Sequence, residues 1–140
     1  MVRPFTLTSG SWGGVAWKLR AIDSGDGRYG LTVVVAGSRR AQLSGRFYVP
    51  GRNGAPVNFG WTSSIPGTQQ PFVAGAITEA ARVISVGLSN RSVRTVRTIP
   101  PRCGLSPGIS FFVAPIPRRT YPRFFSARNA AGKVVASWRR

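Results

Sequence analysis

Histidine is absent from the chain, and only Asp23, Asp26 and Glu79 carry a carboxylate side chain. Without histidine the commonest general base is missing, together with a frequent metal ligand and the centre of the Ser–His–Asp triad. Asp23 and Asp26 make the one acidic pair, in the turn DSGDG (23–27). Carboxylates that hydrolyse glycosides normally come from separate elements facing a cleft, so two in one exposed turn more simply shape that turn. The same stretch is too poor in acidic ligands for an EF-type calcium loop. Cys103 stands alone, which excludes an internal disulfide. Flanked by Pro100, Pro101 and Gly104, it reads as a free thiol in a turn with no histidine to activate it. No GxGxxG or Walker pattern occurs, and GSWGG (10–14) reads as a flexible lead-in rather than a phosphate loop. The expectation is a protein that is not an enzyme, with no catalytic residues, no metal site and no cofactor.

Long apolar runs are missing too. None approaches the roughly 18–20 residues needed to span a bilayer as a helix. The opening MVRPFTLTSGSWGG lacks the apolar centre of a signal peptide. A soluble chain with no transmembrane segment is expected, and a mature or truncated form of an exported protein would look the same. Long helices are disfavoured by the 17 Gly and 11 Pro among 140 residues. A hydrophobic share of 42% still suits one globular core.

What the chain has in excess is positive charge. Twenty Lys plus Arg against three acids give a formal net charge of +17, and only Lys18 and Lys133 are lysine. A GC-rich genome accounts for arginine over lysine, but not for the shortage of Asp and Glu. Such an excess repels itself in the folded state unless counterions or an anionic partner offset it.

The hydrophobic pattern has period two. WKLRAI places Trp17, Leu19 and Ala21 on one side and Lys18 and Arg20 on the other. After the DSGDG turn, YGLTVVV puts Tyr29, Leu31, Val33 and Val35 on one face, which makes a hairpin. QLSGRFYV (42–49), VNFGW (57–61) and PFVAGAI (71–77) read as further strands, separated by GSRR, PGRNGAP and the polar loop TSSIPGTQQP. TEAA (78–81) is the single helical signal, one turn with Thr78 as cap. In RVISVGLSNRSVRTVRTIPP (82–101), Arg91, Arg94 and Arg97 recur at every third residue, as a helical basic stripe would. The Val, Thr and Ile between them favour a pleated surface, so the stretch reads as two strands about an SNRS turn, closed by Pro100 and Pro101. Arg94 then points opposite to Arg91 and Arg97, and one set must lie at an edge or strand end to escape unpaired burial. ISFFVAPIP (109–117) is a strand, and Pro115 and Pro117 suggest that its end lies on an edge. FFSAR, NAAG and KVVASW form a closing hairpin. The sum is an all-β, single-domain β-sandwich, immunoglobulin-like or related, of about 8–10 short antiparallel strands with at most one helical turn. A lead-in is expected over 1–14 and the domain over 15–138.

The second half resembles a β-rich domain of uncharacterised actinobacterial proteins. FVAGAITEAARVISVGLSN (72–90), ISFFVAPIP and YPRFFSARNAAGKVVAS (121–137) carry the resemblance, and WKLRAIDSGDGRYGLTVV is similar to the Trp-containing hairpin that opens such domains. SNRS stands where an Asp-Gly turn is usual, and ARNAAG where an Asp usually precedes the turn. Both departures lose acid. The resemblance implies a non-catalytic β-sandwich, often surface-associated, hence an extracytoplasmic location, and it assigns no functional residues.

Candidate binding residues are basic side chains interleaved with aromatics. RRTYPRFF sets Arg118, Arg119 and Arg123 beside Tyr121, Phe124 and Phe125. SGRFYVPGR offers Arg46 and Arg52 beside Phe47 and Tyr48. Arg128, Lys133, Arg139 and Arg140 add charge near the closing hairpin. Such mixtures bind phosphates through guanidinium and can stack bases on rings. Alternatively the rings are core and the arginines their solvated neighbours. No base-reading motif is present. The expected function is a structural or interaction module whose basic surface engages an anionic polymer or an acidic protein surface, with self-assembly open to it. The alternative is a sequence-tolerant nucleic-acid-binding protein, free or as the arginine-rich lining of a capsid-type shell.

Overall fold

The computed structural model describes residues 5–12, 14–23, 28–35, 41–48, 57–62, 71–100 and 109–140. Cys103 and the turns expected at 24–27, 37–40, 50–56 and 62–71 fall wholly or mostly outside the described residues. Eleven strands are described, all paired antiparallel: β1 (Phe5–Trp12), β2 (Val15–Asp23), β3 (Arg28–Val35), β4 (Ala41–Tyr48), β5 (Val57–Thr62), β6 (Phe72–Thr78), β7 (Val83–Leu88), β8 (Val93–Arg97), β9 (Ile109–Pro115), β10 (Pro122–Arg128) and β11 (Val134–Arg139). They form three sheets, ordered β1-β2-β3-β4, β5-β6-β9 and β11-β10-β7-β8.

The β5-β6-β9 sheet is the middle layer, and its sequence explains why. Every β6 residue from Phe72 to Ile77 is buried, so FVAGAI has no polar face to give to water. Phe72, Ala74, Ala76, Ile109 and Phe111 pack against Leu7, Trp17, Leu19, Ala21, Leu31 and Val33 of the first sheet. Their alternate neighbours, Val73, Ile77, Phe112 and Ala114, pack the other way against Ile84, Val86, Leu88, Phe125 and Ala127 of the third. Each Phe buried in this way contributes about 1.5–3 kcal/mol by transfer from water. The third sheet is tied to the middle one by a two-bond bridge between Ile99 and Phe111, at 2.6 and 2.9 Å.

The expected all-β sandwich is present, with a third sheet and one strand more than the upper expectation. The additional strand is β1. The lead-in expected over 1–14 instead runs as a strand from Phe5 to Trp12, paired with β2 from Phe5↔Ala21 to Trp12↔Val15. Leu7, left unpaired by the register shift between Thr6↔Arg20 and Thr8↔Leu19, is buried in the first core and anchors the strand there. The TEAA segment forms a turn, closed by the Ala81 amide donating to the Thr78 carbonyl at 3.1 Å, and no helix occurs among the described residues. No helix in the described chain is therefore long and apolar enough to cross a membrane. As its prolines suggested, β9 is an edge of its sheet.

Candidate functional site

The β11-β10-β7-β8 sheet turns one face to the core and the other outward. Ile84, Val86, Phe125 and Ala127 face inward, while Phe124, Ser126, Arg128, Ser85 and Thr95 occupy the alternate positions. Except for Arg20 on β2, every arginine with a described side chain lies on this sheet or on the turns bounding it, and all are exposed. At the edge strand β8, Arg94 lies opposite Val86 yet remains exposed, because no strand covers it. The edge placement required for the arginines of 82–101 is thus present.

A regular β10 would aim Arg123 into the core. Its register with β7 shifts, however, from Pro122↔Leu88 to Phe124↔Gly87, leaving Arg123 as an extra residue in a bulge. Bulges re-aim side chains in this manner, and Arg123 is exposed. Phe124, the next residue, lies directly over Gly87, where an added Cβ would fall within its ring. The same ring carries the guanidinium of Arg139 at 5.6 Å from its centroid. Arg140 sits 5.0 Å over the ring of Tyr121, and its amide donates to the Arg123 carbonyl at 2.9 Å. Such cation–π contacts hold a guanidinium in place without cancelling its charge.

Arg91 comes from the turn between β7 and β8. There the Arg91 amide donates to the Leu88 carbonyl at 3.0 Å and the Leu88 amide to the Ser92 carbonyl at 2.9 Å. Arg91 has φ 68, a left-handed conformation more usual for glycine. Two hydrogen bonds fasten this turn to the start of β10. The Ser89 amide donates to the Tyr121 carbonyl at 3.0 Å, and the Tyr121 amide to the Ser89 hydroxyl at 3.2 Å. The outcome is a cleft of about 360 Å³ lined by Leu88, Arg91, Arg123, Phe124, Arg139 and Arg140. Among the described residues, no acidic side chain lines it. Glu79 lies just before Val83, at the far end of β7 from Leu88, about 17 Å along the strand.

Of the candidates from sequence, Arg123, Arg139, Arg140 and Tyr121 are brought together. Arg118 and Arg119 lie in the turn before β10, outside the cleft, with Arg119 at φ 61. Arg128 and Lys133 lie at the opposite end of β10, where Arg128 donates to the Gly132 carbonyl at 2.8 Å. Arg46 lies in β4 and Arg52 beyond it; their side chains are outside the described residues. Phe125 is core, packed against Phe112, Phe59 and Trp138, and does not share the arginines' surface. Arg91 is the member that sequence reasoning missed. SNRS was legible as a turn, but which residue adopts the left-handed conformation, and what faces it across the sheet, depends on pairing with β10.

No protein-family model, curated protein or solved structure matches the chain. Fold and site together define the class: an all-β, sandwich-like domain bearing an arginine-lined cleft at one end of an outer sheet.

Proposed function

We propose that this protein is a non-catalytic interaction or structural module that engages an anionic polymer through the arginine-rich end of its β11-β10-β7-β8 sheet. The observation that carries the reading is the convergence of Arg91, Arg123, Arg139 and Arg140 on one cleft lined, among the described residues, by no acidic side chain. Like charges gathered without a counter-charge raise the local potential, and a concave site focuses it. A polymer suits such a site better than a single ion, because Arg94 on β8 and Arg118 and Arg119 before β10 carry positive charge beyond the cleft. The row Ser137, Ser126, Ser85 and Thr95 crosses all four strands with short side chains and leaves a low path beside the cleft. An acidic protein surface would be drawn by the same field.

The second reading is a sequence-tolerant nucleic-acid-binding protein or the lining of a shell. Convergence of Arg123, Arg139 and Arg140 on one cleft favours it, while Arg118 and Arg119 lie outside that cleft and Arg82, Arg97 and Arg128 stand at the other end of the sheet. Shell assembly would use a surface other than β8, whose exposed Arg94 and Arg97 oppose edge-to-edge pairing. The actinobacterial resemblance would place either activity at a cell surface or outside the cytoplasm.

Fluorescence anisotropy across a salt series tests the reading, using single- and double-stranded oligonucleotides, a sulfated polysaccharide and poly-glutamate. We expect binding at low salt, with log K falling linearly as log salt rises. No binding of any polyanion at low salt would overturn the proposal. Binding without a salt slope would remove its electrostatic mechanism.

A further inference from the structure

Two turns of the outer sheet are built alike. In the 88–92 turn, Arg91 N–H bonds to Leu88 C=O at 3.0 Å and Leu88 N–H to Ser92 C=O at 2.9 Å. In the 129–133 turn, Gly132 N–H bonds to Asn129 C=O at 3.0 Å and Asn129 N–H to Lys133 C=O at 2.9 Å. The fourth residue of each is left-handed, Gly132 at φ 83 and Arg91 at φ 68. Glycine takes this conformation without steric cost, whereas arginine must bring its Cβ close to a carbonyl oxygen. The turn beside the cleft thus carries an arginine where its counterpart shows that glycine serves the backbone better.

Resting on the anionic-polymer reading, we infer that the cleft is a subsite for a tetrahedral oxyanion ester, phosphate or sulfate, and that Arg91 occupies a glycine-type position because its guanidinium completes that subsite. Donors enter from three places: the β7–β8 turn, the β10 bulge and the end of β11. A planar carboxylate accepts mainly in its own plane, while a tetrahedral group directs oxygens outward in several directions and can engage several guanidinium forks at once. The rings serve the arginines rather than a base. Phe124 is covered by Gly87 and Arg139, and Arg140 lies over Tyr121. Recognition is therefore of the charged ester, with little regard to the base or sugar attached.

The test compares Arg91→Gly with wild type, using Arg128→Gln as a control at the far end of β10. Arg91→Gly should melt at or above the wild-type temperature, since it relieves the turn. It should weaken a homopolymeric single strand or the sulfated polysaccharide about tenfold, the loss of one charge-assisted contact. The slope of log K against log salt should fall by about 0.7 for the single strand. Arg128→Gln and poly-glutamate binding should change much less. Whichever ester polymer wild type binds more tightly assigns phosphate or sulfate. Unchanged affinity in Arg91→Gly, or an equal loss towards poly-glutamate, would overturn the subsite. If wild type binds no polymer, the broader reading fails by itself. The subsite then stands or falls on whether inorganic phosphate raises the melting temperature of wild type but not of Arg91→Gly.

Discussion

The two ends of the outer sheet share a backbone plan and differ in what they do with it. At the 129–133 end, Gly132 takes the left-handed position, Asn129 Oδ1 accepts from the Ala131 and Lys133 amides at 3.0 and 2.9 Å, and Arg128 turns back onto the Gly132 carbonyl. The Arg128 guanidinium and the Asn129 side chain are there engaged by the turn itself. At the 88–92 end, the left-handed position is held by Arg91, the neighbouring strand bulges to expose Arg123, and two rings hold Arg139 and Arg140. One end satisfies the fold alone. The other accepts local strain and like-charge repulsion, features that concentrate where a ligand offsets them.

The contrast can be broken most forcefully at Gly87. Gly87→Val should displace Phe124, and with it the support of Arg139, destabilising the protein by about 2 kcal/mol through overpacking. Polyanion affinity should drop together with stability, while the amides of the 129–133 turn keep their hydrogen-exchange protection. Retained affinity in a folded variant would show that Arg139 needs no ring beneath it. A smaller effect is expected at the other end. Gly132→Ala should cost about 1 kcal/mol in denaturant unfolding, because alanine resists the left-handed conformation, and should leave polyanion affinity within twofold. Smaller still, and opposite in sign, is the gain in melting temperature expected of Arg91→Gly. Opposite signs for the two substitutions would sharpen the comparison; equal signs would remove the claim that Arg91 is held under strain.

The fold was legible because burial imposes alternation. Trp17, Leu19 and Ala21 against Lys18 and Arg20, and Ile84, Val86 and Leu88 along β7, each follow the two-residue period that a strand with one buried face must obey. FVAGAI and ISFFVA were legible as strands, but not as a middle layer, since a continuous apolar run does not reveal how many sheets cover it. β1 reads as a lead-in from sequence because Ser9, Gly10 and Ser11 interrupt its apolar pattern and Gly13 and Gly14 follow it, and pairing with β2 overrides that composition. In the candidate site, Arg123, Arg139 and Arg140 were legible as basic residues near rings. Their convergence was not, as it depends on a one-residue bulge opposite Gly87 and on antiparallel pairing that brings the end of β11 beside the start of β10. Arg91 was the hardest to place, for its spacing with Arg94 and Arg97 suggested a stripe along one segment. Its partners lie on β10 and β11 instead.

The central claim is that one end of one sheet receives the anion. Arginine side-chain Nε–Hε resonances followed by NMR during titration with a short single-stranded oligonucleotide or a sulfated oligosaccharide test it most directly. The account predicts that Arg91, Arg123, Arg139 and Arg140 shift first and saturate together, ahead of Arg82 and Arg128 at the opposite end. Shifts of equal size and midpoint at both ends would contradict it.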